Sequence, residues 1–139
     1  MHAQLLKTEK RRTTGWVLME ALRSYGVDTV FGIPGTHNLE MYRHLPGSGI
    51  EHVLCRHEQG AVYAADGYAR SGAGIAAVIV TSGPGLLNAA TGIANAYADR
   101  VPMLVLAPVI DRGRERRDVG WMHEVKDQRA ALDAVAAWS

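Results

Sequence analysis

The sequence has few of the features that mark secreted, membrane or nucleic-acid-binding proteins. It contains one cysteine, Cys55, which excludes an internal disulfide framework and is typical of a reducing compartment. With 15 Lys and Arg against 14 Asp and Glu, the net charge of +1 gives no reason to expect a nucleic-acid or anionic-membrane partner. No apolar run approaches the length of a membrane span. We therefore expect a cytoplasmic protein without a membrane or nucleic-acid partner.

A basic N-terminus precedes the first helical pattern. Four basic residues lie between Lys7 and Arg12, but no apolar run of signal-peptide length follows them. We interpret residues 1–13 as a flexible basic leader and residues 14–139 as one domain. A chain of 139 residues, 47% of them hydrophobic, is long enough to bury a core.

Helical and strand-like patterns alternate along this domain. Apolar spacing predicts a first helix with Thr14 as its N-cap and Gly26 at its end, and further helices over residues 38–45, 58–70, 86–97 and 128–138. Apolar runs predict strands over residues 28–33, 52–55, 76–81 and 101–107, all but the second of them buried. The expected buried helix faces are Leu18, Leu22 and Tyr25, then Leu86, Ala90, Ile93, Ala94 and Tyr97, and finally Leu132 and Val135.

Strands separated by helices predict an α/β fold with a doubly wound, mainly parallel sheet and helices on both faces. The highly charged residues 111–118 are expected to form a solvated connection. Trp138 stands one residue before the last, so we expect the fold to be incomplete at its C-terminus.

Three candidate features directly follow predicted strands. They are Pro34-Gly35, Glu58, and the glycine-rich run of residues 82–85. In a parallel sheet, ligands bind beyond the carboxyl ends of the strands. We therefore expect all three features to meet at one edge of the sheet.

Glu58 has two interpretations. It can be an ordinary first-turn glutamate, exposed and stabilised by the helix dipole. However, the helix behind it is rich in glycine and alanine, so another element is expected to pack closely there and partly desolvate the carboxylate. Such a group can hold a proton on a bound heterocycle through a charge-assisted hydrogen bond.

The glycine-containing turns are also open to structural and functional interpretations. The run from Thr81 to Asn88 lacks both the Lys-Ser/Thr pair of a P-loop and the spacing of a Rossmann fingerprint. Because its two glycines carry no side chains, the backbone of this loop is better suited to approach a flat ring closely. In the turn after the first strand, Thr36 or Asn38 either caps the short helix or faces a substrate.

Other polar and aromatic residues give no second site. The histidines show no metal-ligand spacing, and no Ser-His-Asp or Cys-His arrangement stands out. No metal ligands are predicted in this chain. The tyrosines Tyr63, Tyr68 and Tyr97 lie on predicted helices and are expected to be packing residues.

Three motifs occur in a fixed order along the chain. They are Phe-Gly-Ile-Pro-Gly at 31–35, Arg-His-Glu-Gln-Gly-Ala at 56–61 with Ala-Asp-Gly-Tyr-Ala-Arg at 65–70, and Val-Thr-Ser-Gly-Pro-Gly at 80–85 with Asn88. Together they resemble the N-terminal, pyrimidine-binding domain of the thiamine-diphosphate-dependent acetolactate synthase and 2-oxo-acid decarboxylase family. The resemblance extends from about residue 14 to residue 109.

This resemblance implies a cofactor, thiamine diphosphate, and a role for each matching residue. Glu58 would be the catalytic carboxylate, bonded to N1′ of the aminopyrimidine so that the thiazolium C2 loses its proton and can attack a 2-oxo acid. The residues implied to line the pyrimidine are Ile33, Pro34, Gly35, Thr81, Gly83, Pro84, Gly85 and Asn88. Thr36 and His123 would face the substrate.

Two departures from the family pattern limit this reading. Acetolactate synthases have Phe-Gln-Glu where this sequence has Met122-His123-Glu124. That difference favours the decarboxylase-like branch acting on larger 2-oxo acids, such as 5-guanidino-2-oxopentanoate. We expect the middle domain and the diphosphate-binding domain, which would supply the Mg²⁺ ligands, to be absent from this chain. FAD stays open as a further cofactor, although nothing in this sequence supports it.

Three hypotheses follow for the chain as a whole. It is a truncated N-terminal piece of such an enzyme, a separate pyrimidine-domain subunit of a split 2-oxo-acid decarboxylase, or a non-catalytic α/β binding module. Under the first two, the chain alone is expected to be inactive and to need a partner chain or a homo-oligomer. The intact Glu58 argues against the third.

Overall fold

The computed structural model describes residues 12–139, which form one layered α/β unit. The elements in chain order are α1 (Thr14–Ser24), β1 (Thr29–Gly32), α2 (Leu39–Tyr42), β2 (Glu51–Leu54), α3 (Glu58–Tyr68), β3 (Ala76–Ile79), α4 (Pro84–Ala98), β4 (Met103–Leu106) and α5 (Gln128–Asp133). The predicted leader, residues 1–13, lies almost wholly outside the described residues. None of the helices described in residues 12–139 is long and apolar enough to cross a membrane.

The four strands form one all-parallel sheet in the order β2-β1-β3-β4. Alternate residues of β3 enter two different cores, as the pleat of a strand requires. Ala76 and Val78 face the core made with α3, α4 and α5, whereas Ala77 and Ile79 face the core made with α1 and α2. The prediction of a parallel sheet with helices on both faces is therefore confirmed.

One of the two outer strands, β4, is less buried than predicted. The run over residues 101–107 was expected to be a buried strand, but Leu104 is 40% exposed and no residue of β4 is fully buried. The reason is its position, because β4 is an edge strand with a neighbour on only one side. The central strands β1 and β3 are buried at every residue.

Several predicted helix boundaries are wrong by one or more residues. The N-cap of α1 is Thr13 rather than Thr14, since its side chain accepts a hydrogen bond from the Trp16 amide. Helix α2 is confined to four residues, and α3 ends at Tyr68 and continues into a π-helical turn over Ala69–Ala73. The last helix stops at Asp133 instead of continuing to residue 138, although Leu132 is buried as predicted.

Three tyrosines predicted to be buried or to pack are exposed. Tyr25 is 76% exposed, Tyr97 58% and Tyr63 43%. The buried face of α1 is Gly15, Met19 and Leu22, so the apolar spacing selected a face rotated from the true one. Helix α4 buries Leu86 and Ile93 as predicted, but Ala90 and Ala94 are only partly buried, because its other buried residues are Gly85, Ala89, Gly92 and Ala96.

Helices α3 and α4 pack against each other through glycine and alanine. A Cβ atom at Gly92 of α4 would lie 2.6 Å from Cγ1 of Val62 on α3, so only a glycine fits at this crossing. Ala61, Val62 and Ala65 of α3 are completely buried. The close approach expected for the small-residue helix is therefore present on this face. The opposite face is open, because no atom of residues 12–139 lies within 4 Å of a Cβ built at Gly60 or Gly67.

Tyr68, the third of the tyrosines predicted to pack, joins the end of α3 to the start of β1. Its ring lies edge-on to Phe31 at 5.6 Å between centroids, as expected for a packing residue. Its hydroxyl donates a 2.6 Å hydrogen bond to Asp28 Oδ1. This bond and a second from Thr29 lower the pKa of the Asp28 carboxyl below its ordinary value of 3.8.

Gly92→Ala should destabilise the chain by about 1–3 kcal/mol, because the added methyl group overlaps the stiff, β-branched Val62. The matched control is Gly67→Ala on the open face of α3, where alanine should stabilise by up to about 1 kcal/mol through helix propensity. Both free energies of unfolding are measured by urea denaturation. Equal effects of the two substitutions would show that the α3–α4 contact is not as close as described.

Tyr68→Phe should remove a stabilisation that depends on pH. Because the folded pKa of Asp28 is lowered, the stabilisation is complete above about pH 3.8 and is lost as the pH falls through the folded pKa. The difference in unfolding free energy between the wild type and Tyr68→Phe should therefore shrink in acid. Tyr97→Phe, at an exposed tyrosine, is the control. A wild-type advantage that persists unchanged into strong acid would contradict the role given to Asp28.

Candidate functional site

The turn after β1 is held in shape by one buried side chain. Asn38 is completely buried, its Oδ1 accepts a 2.7 Å hydrogen bond from the Gly35 amide, and its Nδ2 donates a 3.0 Å bond to the Ile33 carbonyl. It makes no side-chain capping bond to α2. The Asn38 side chain therefore neither caps α2 nor faces a substrate, the two roles considered for this turn. It fixes the backbone of residues 33–35 instead.

Glu58 is the first residue of α3 and is half-buried. The preceding residue, His57, is the N-cap, and its Nδ1 accepts a 3.2 Å hydrogen bond from the Gln59 amide. Oε2 of Glu58 accepts a 3.0 Å hydrogen bond from Nδ2 of Asn88 on α4. Within the part of the chain that the structure describes, Oε1 has no donor. One carboxylate oxygen is thus fixed and the other is available.

Two glycines lie against Thr81, Gly35 in the turn after β1 and Gly85 after β3, and Gly85 also lies against Glu58. A Cβ at Gly85 would lie 2.6 Å from Thr81 Cγ2 and 3.2 Å from Glu58 Oε1. A Cβ at Gly35 would lie 3.4 Å from Thr81 Oγ1. The turn after β1, the loop after β3 and the start of α3 therefore meet at one edge of the sheet. A side chain at Gly85 would overlap the Thr81 methyl group and crowd the Glu58 carboxylate.

The C-terminal segment clamps the middle of the same loop. The Gly83 amide donates a 2.7 Å hydrogen bond to Oε1 of Gln128, and Nε2 of Gln128 donates a 3.0 Å bond to the Pro108 carbonyl. The carbonyl oxygen of His123 occupies the position that a Cβ at Gly83 would need. Gly83 also has a φ of +56°, which disfavours other residues. The close His123 carbonyl and the positive φ therefore each favour glycine at this position.

Two histidines lie beside this loop, and only one of them was predicted. Nδ1 of His37 is 3.0 Å from Ser82 Oγ, and Nδ1 of His123 is 3.4 Å from Thr81 Oγ1. Their ring centroids are 5.4 Å apart with the rings inclined at 50°. The predicted Thr36 lies on the same turn as His37 and is exposed. His37 was missed because nothing in its local sequence distinguishes it from the other histidines.

No group of three or more His, Cys, Asp or Glu side chains in residues 12–139 is arranged to hold a metal ion. Of the predicted site residues, Glu58, Asn88, Gly35, Thr81 and Gly85 come together directly. Pro34 and Pro84 lie at the exposed ends of the two turns, and Ile33 is half-buried behind the first. Gln128 and Asn38, whose side chains hold the two turns, were not predicted as site residues.

Comparison with known proteins gives one family over most of the chain. Residues 12–131 match the family described as thiamine pyrophosphate enzyme, N-terminal TPP binding domain. A probable 2-ketoarginine decarboxylase of Pseudomonas aeruginosa is 51% identical over 134 residues, which is 96% of this chain and 24% of that protein.

Acetolactate synthase large subunits also match. That of Lactococcus lactis is 46% identical over 101 residues, covering 72% of this chain and 18% of the synthase. That of Haemophilus influenzae is 50% identical over 100 residues, covering 70% and 17%. The chain thus spans about a quarter or less of the length of these relatives.

Gln128→Met should free the loop after β3, because the Gly83 amide and the Pro108 carbonyl both lose their side-chain partner. We expect the unfolding free energy to fall by about 1–3 kcal/mol. Hydrogen exchange at the Gly83 amide should also become faster. Arg129→Met, at the exposed neighbouring residue, is the control. Unchanged protection of the Gly83 amide in Gln128→Met would contradict the clamp.

Proposed function

This chain belongs to the thiamine pyrophosphate enzymes through their N-terminal TPP-binding domain, and from that premise we propose that Glu58 binds the aminopyrimidine of thiamine diphosphate. The observation that carries the proposal is the half-buried carboxylate, with one oxygen bonded to Asn88 and the other without a donor among residues 12–139. That free oxygen, Oε1, would accept the hydrogen bond of a protonated ring nitrogen.

The residues around Glu58 fit a flat ring. Gly35 and Gly85 place no side chain beside Thr81, so backbone and small groups surround the carboxylate. We assign Ile33, Pro34, Gly35, Thr81, Gly83, Pro84, Gly85 and Asn88 to the pyrimidine site. Asn88 has a positioning role as well, because its bond to Oε2 restricts the rotation of the carboxylate and directs Oε1 to the ligand.

The cofactor, once bound, supplies a carbon nucleophile and an electron sink for decarboxylation of a 2-oxo acid. The part played by this chain is to hold the proton at the ring nitrogen nearest Glu58. Because residues 12–139 contain no metal-ligand cluster, we assign the Mg²⁺ and diphosphate contacts to a diphosphate-binding domain on another segment or another chain. That domain would also cover the open face of α3, where Gly60, Ala64 and Gly67 are exposed.

For the reaction, we propose 2-oxo-acid decarboxylation rather than acetolactate synthesis. The match to the probable 2-ketoarginine decarboxylase covers 134 of the 139 residues. It therefore extends over nearly all of the C-terminal segment, to which His123 and Gln128 belong. The resemblance of the motifs also places His123 where acetolactate synthases usually have glutamine. Thr36 and His123 are assigned to the substrate side of the site.

Glu58→Gln should lower turnover of a 2-oxo acid by about 100-fold or more, because glutamine cannot hold the proton on the ring. Turnover is measured after the chain is combined with a protein that carries the diphosphate-binding domain. Glu51→Gln, an exposed carboxylate on the edge strand β2, is the matched control and should be fully active.

Circular dichroism should show the same fold for both variants. Calorimetry with thiamine diphosphate and Mg²⁺ should give tight binding only when the second protein is present. Full turnover by Glu58→Gln would refute the role given to the carboxylate. Tight binding by the 139-residue chain alone would refute the division of the site between two domains.

A further inference from the structure

The two edges of the sheet differ in how well they are protected against pairing with another strand. At the β2 edge, Glu51 lies within the strand and Arg56 follows it, and both side chains are exposed. Charged side chains are one of the ways in which proteins keep an edge strand from pairing. At the β4 edge, residues 101–110 contain no charged side chain. The β4 edge therefore lacks the protection that the β2 edge has.

The free backbone groups of β4 belong to alternate residues. The Leu106 carbonyl accepts a hydrogen bond from the Val80 amide, so the main chain of Leu106 faces β3. Because this direction alternates along a strand, the amides and carbonyls of Met103, Val105 and Ala107 face away from the sheet. Among residues 12–139, the strand paired with β4 is β3 alone. The outward groups are therefore available to a further strand.

An apolar groove of about 560 Å³ follows the same edge. It is lined by β4, by the second half of α4 and by α5 with the residues after it. Four large apolar side chains of this groove are exposed: Tyr97, Leu104, Val109 and Trp138. An exposed apolar surface next to unpaired backbone groups is typical of a protein interface.

The sequence of the edge fits a second copy of itself. Pro102 and Pro108, which have no amide hydrogen, stand at equal distances on either side of Val105. If two copies lie antiparallel with Val105 opposite Val105, each proline faces the other proline and Met103 faces Ala107. Every outward-facing residue then exchanges both of its hydrogen bonds with the residue opposite. No donor is lost to a proline in this register.

The charges at the two ends of β4 favour the same arrangement. Arg100 precedes the uncharged run and Asp111 follows it. In the described part of the chain, Arg100 forms no ion pair, whereas its neighbour Asp99 is bonded to Arg70. Asp111 lies 3.8 Å from Arg114, and both of these side chains are exposed. An antiparallel copy brings Arg100 of one chain near Asp111 of the other, whereas a parallel copy would bring like charges together.

We propose that two copies of this chain associate through β4, antiparallel and centred on Val105, so that their two sheets become one continuous sheet. Both copies use the same surface, as a closed two-fold dimer requires. Because the strands of the two copies run in opposite directions, their carboxyl ends lie at opposite edges of the joined sheet. The two Glu58 sites therefore point away from each other. This dimer goes beyond the function proposed above and does not depend on it.

Sedimentation equilibrium of the 139-residue chain at increasing concentration should show monomers in equilibrium with dimers. Leu104→Lys puts a charge into the groove and should weaken the dimer about tenfold or more. Ala107→Pro removes an outward amide without breaking a bond inside the sheet, and should also weaken it about tenfold or more. Leu54→Lys, at an exposed leucine of β2, is the matched control and should dimerise like the wild type. Circular dichroism should show the same fold for all variants.

The register is tested by oxidative cross-linking in a Cys55→Ser background. Val105→Cys should link two copies, because the Cα atoms of a directly opposed, hydrogen-bonded pair are about 5.5 Å apart, within the reach of a disulfide. Met103→Cys should not form this link, since its counterpart in the second copy is Ala107.

Three results would overturn the proposal. The first is a wild-type chain that stays monomeric at every concentration, which would leave the groove to a different occupant. The second is a dimer that Leu104→Lys and Ala107→Pro leave intact, or that Leu54→Lys weakens as much as they do. The third is cross-linking of Met103→Cys without cross-linking of Val105→Cys. No cofactor or substrate enters these measurements, so their outcome is independent of the Glu58→Gln turnover test.

Discussion

The contact between α3 and α4 is the constraint on which the site depends. Gly92 admits the Val62 side chain, and this lets the two helices approach closely enough for Asn88 of α4 to reach Glu58 of α3. Gly85, one turn before Asn88 on α4, leaves room for the same carboxylate. The position of Glu58 is therefore set by close helix packing, which resists small displacements. A wider crossing would separate the carboxylate from the residue that orients it.

Much of this architecture could be predicted from local sequence. Continuous apolar runs identified the central strands, and the rule that parallel strands present ligands at their carboxyl ends brought Glu58, Gly35 and the loop after β3 to one edge. Exposure was predicted less well. Leu104 and Tyr97 were expected to be buried, but a hydrophobic pattern does not show which strand is at the edge or which helix face meets a neighbour.

The residues that support the site were harder to predict, for a physical reason. Gln128 bonds Gly83 across 45 positions of sequence, and His37 meets Ser82 across the same separation. Such pairs are created by tertiary packing and leave no local pattern. Asn38 is nearer to its partners, yet a turn residue of this type serves equally well as a helix cap, so its sequence context cannot decide between the two.

The clamp by Gln128 also has a consequence for the order of events during synthesis. The loop after β3 is complete once residue 85 has been made, but its Gly83 amide gains its partner only when residue 128 has emerged and the C-terminal segment has folded back. Closing so long a connection is slower than forming the helices on either side. The nascent domain would therefore pass through a stage in which the sheet has formed but the loop after β3 is not yet held by Gln128.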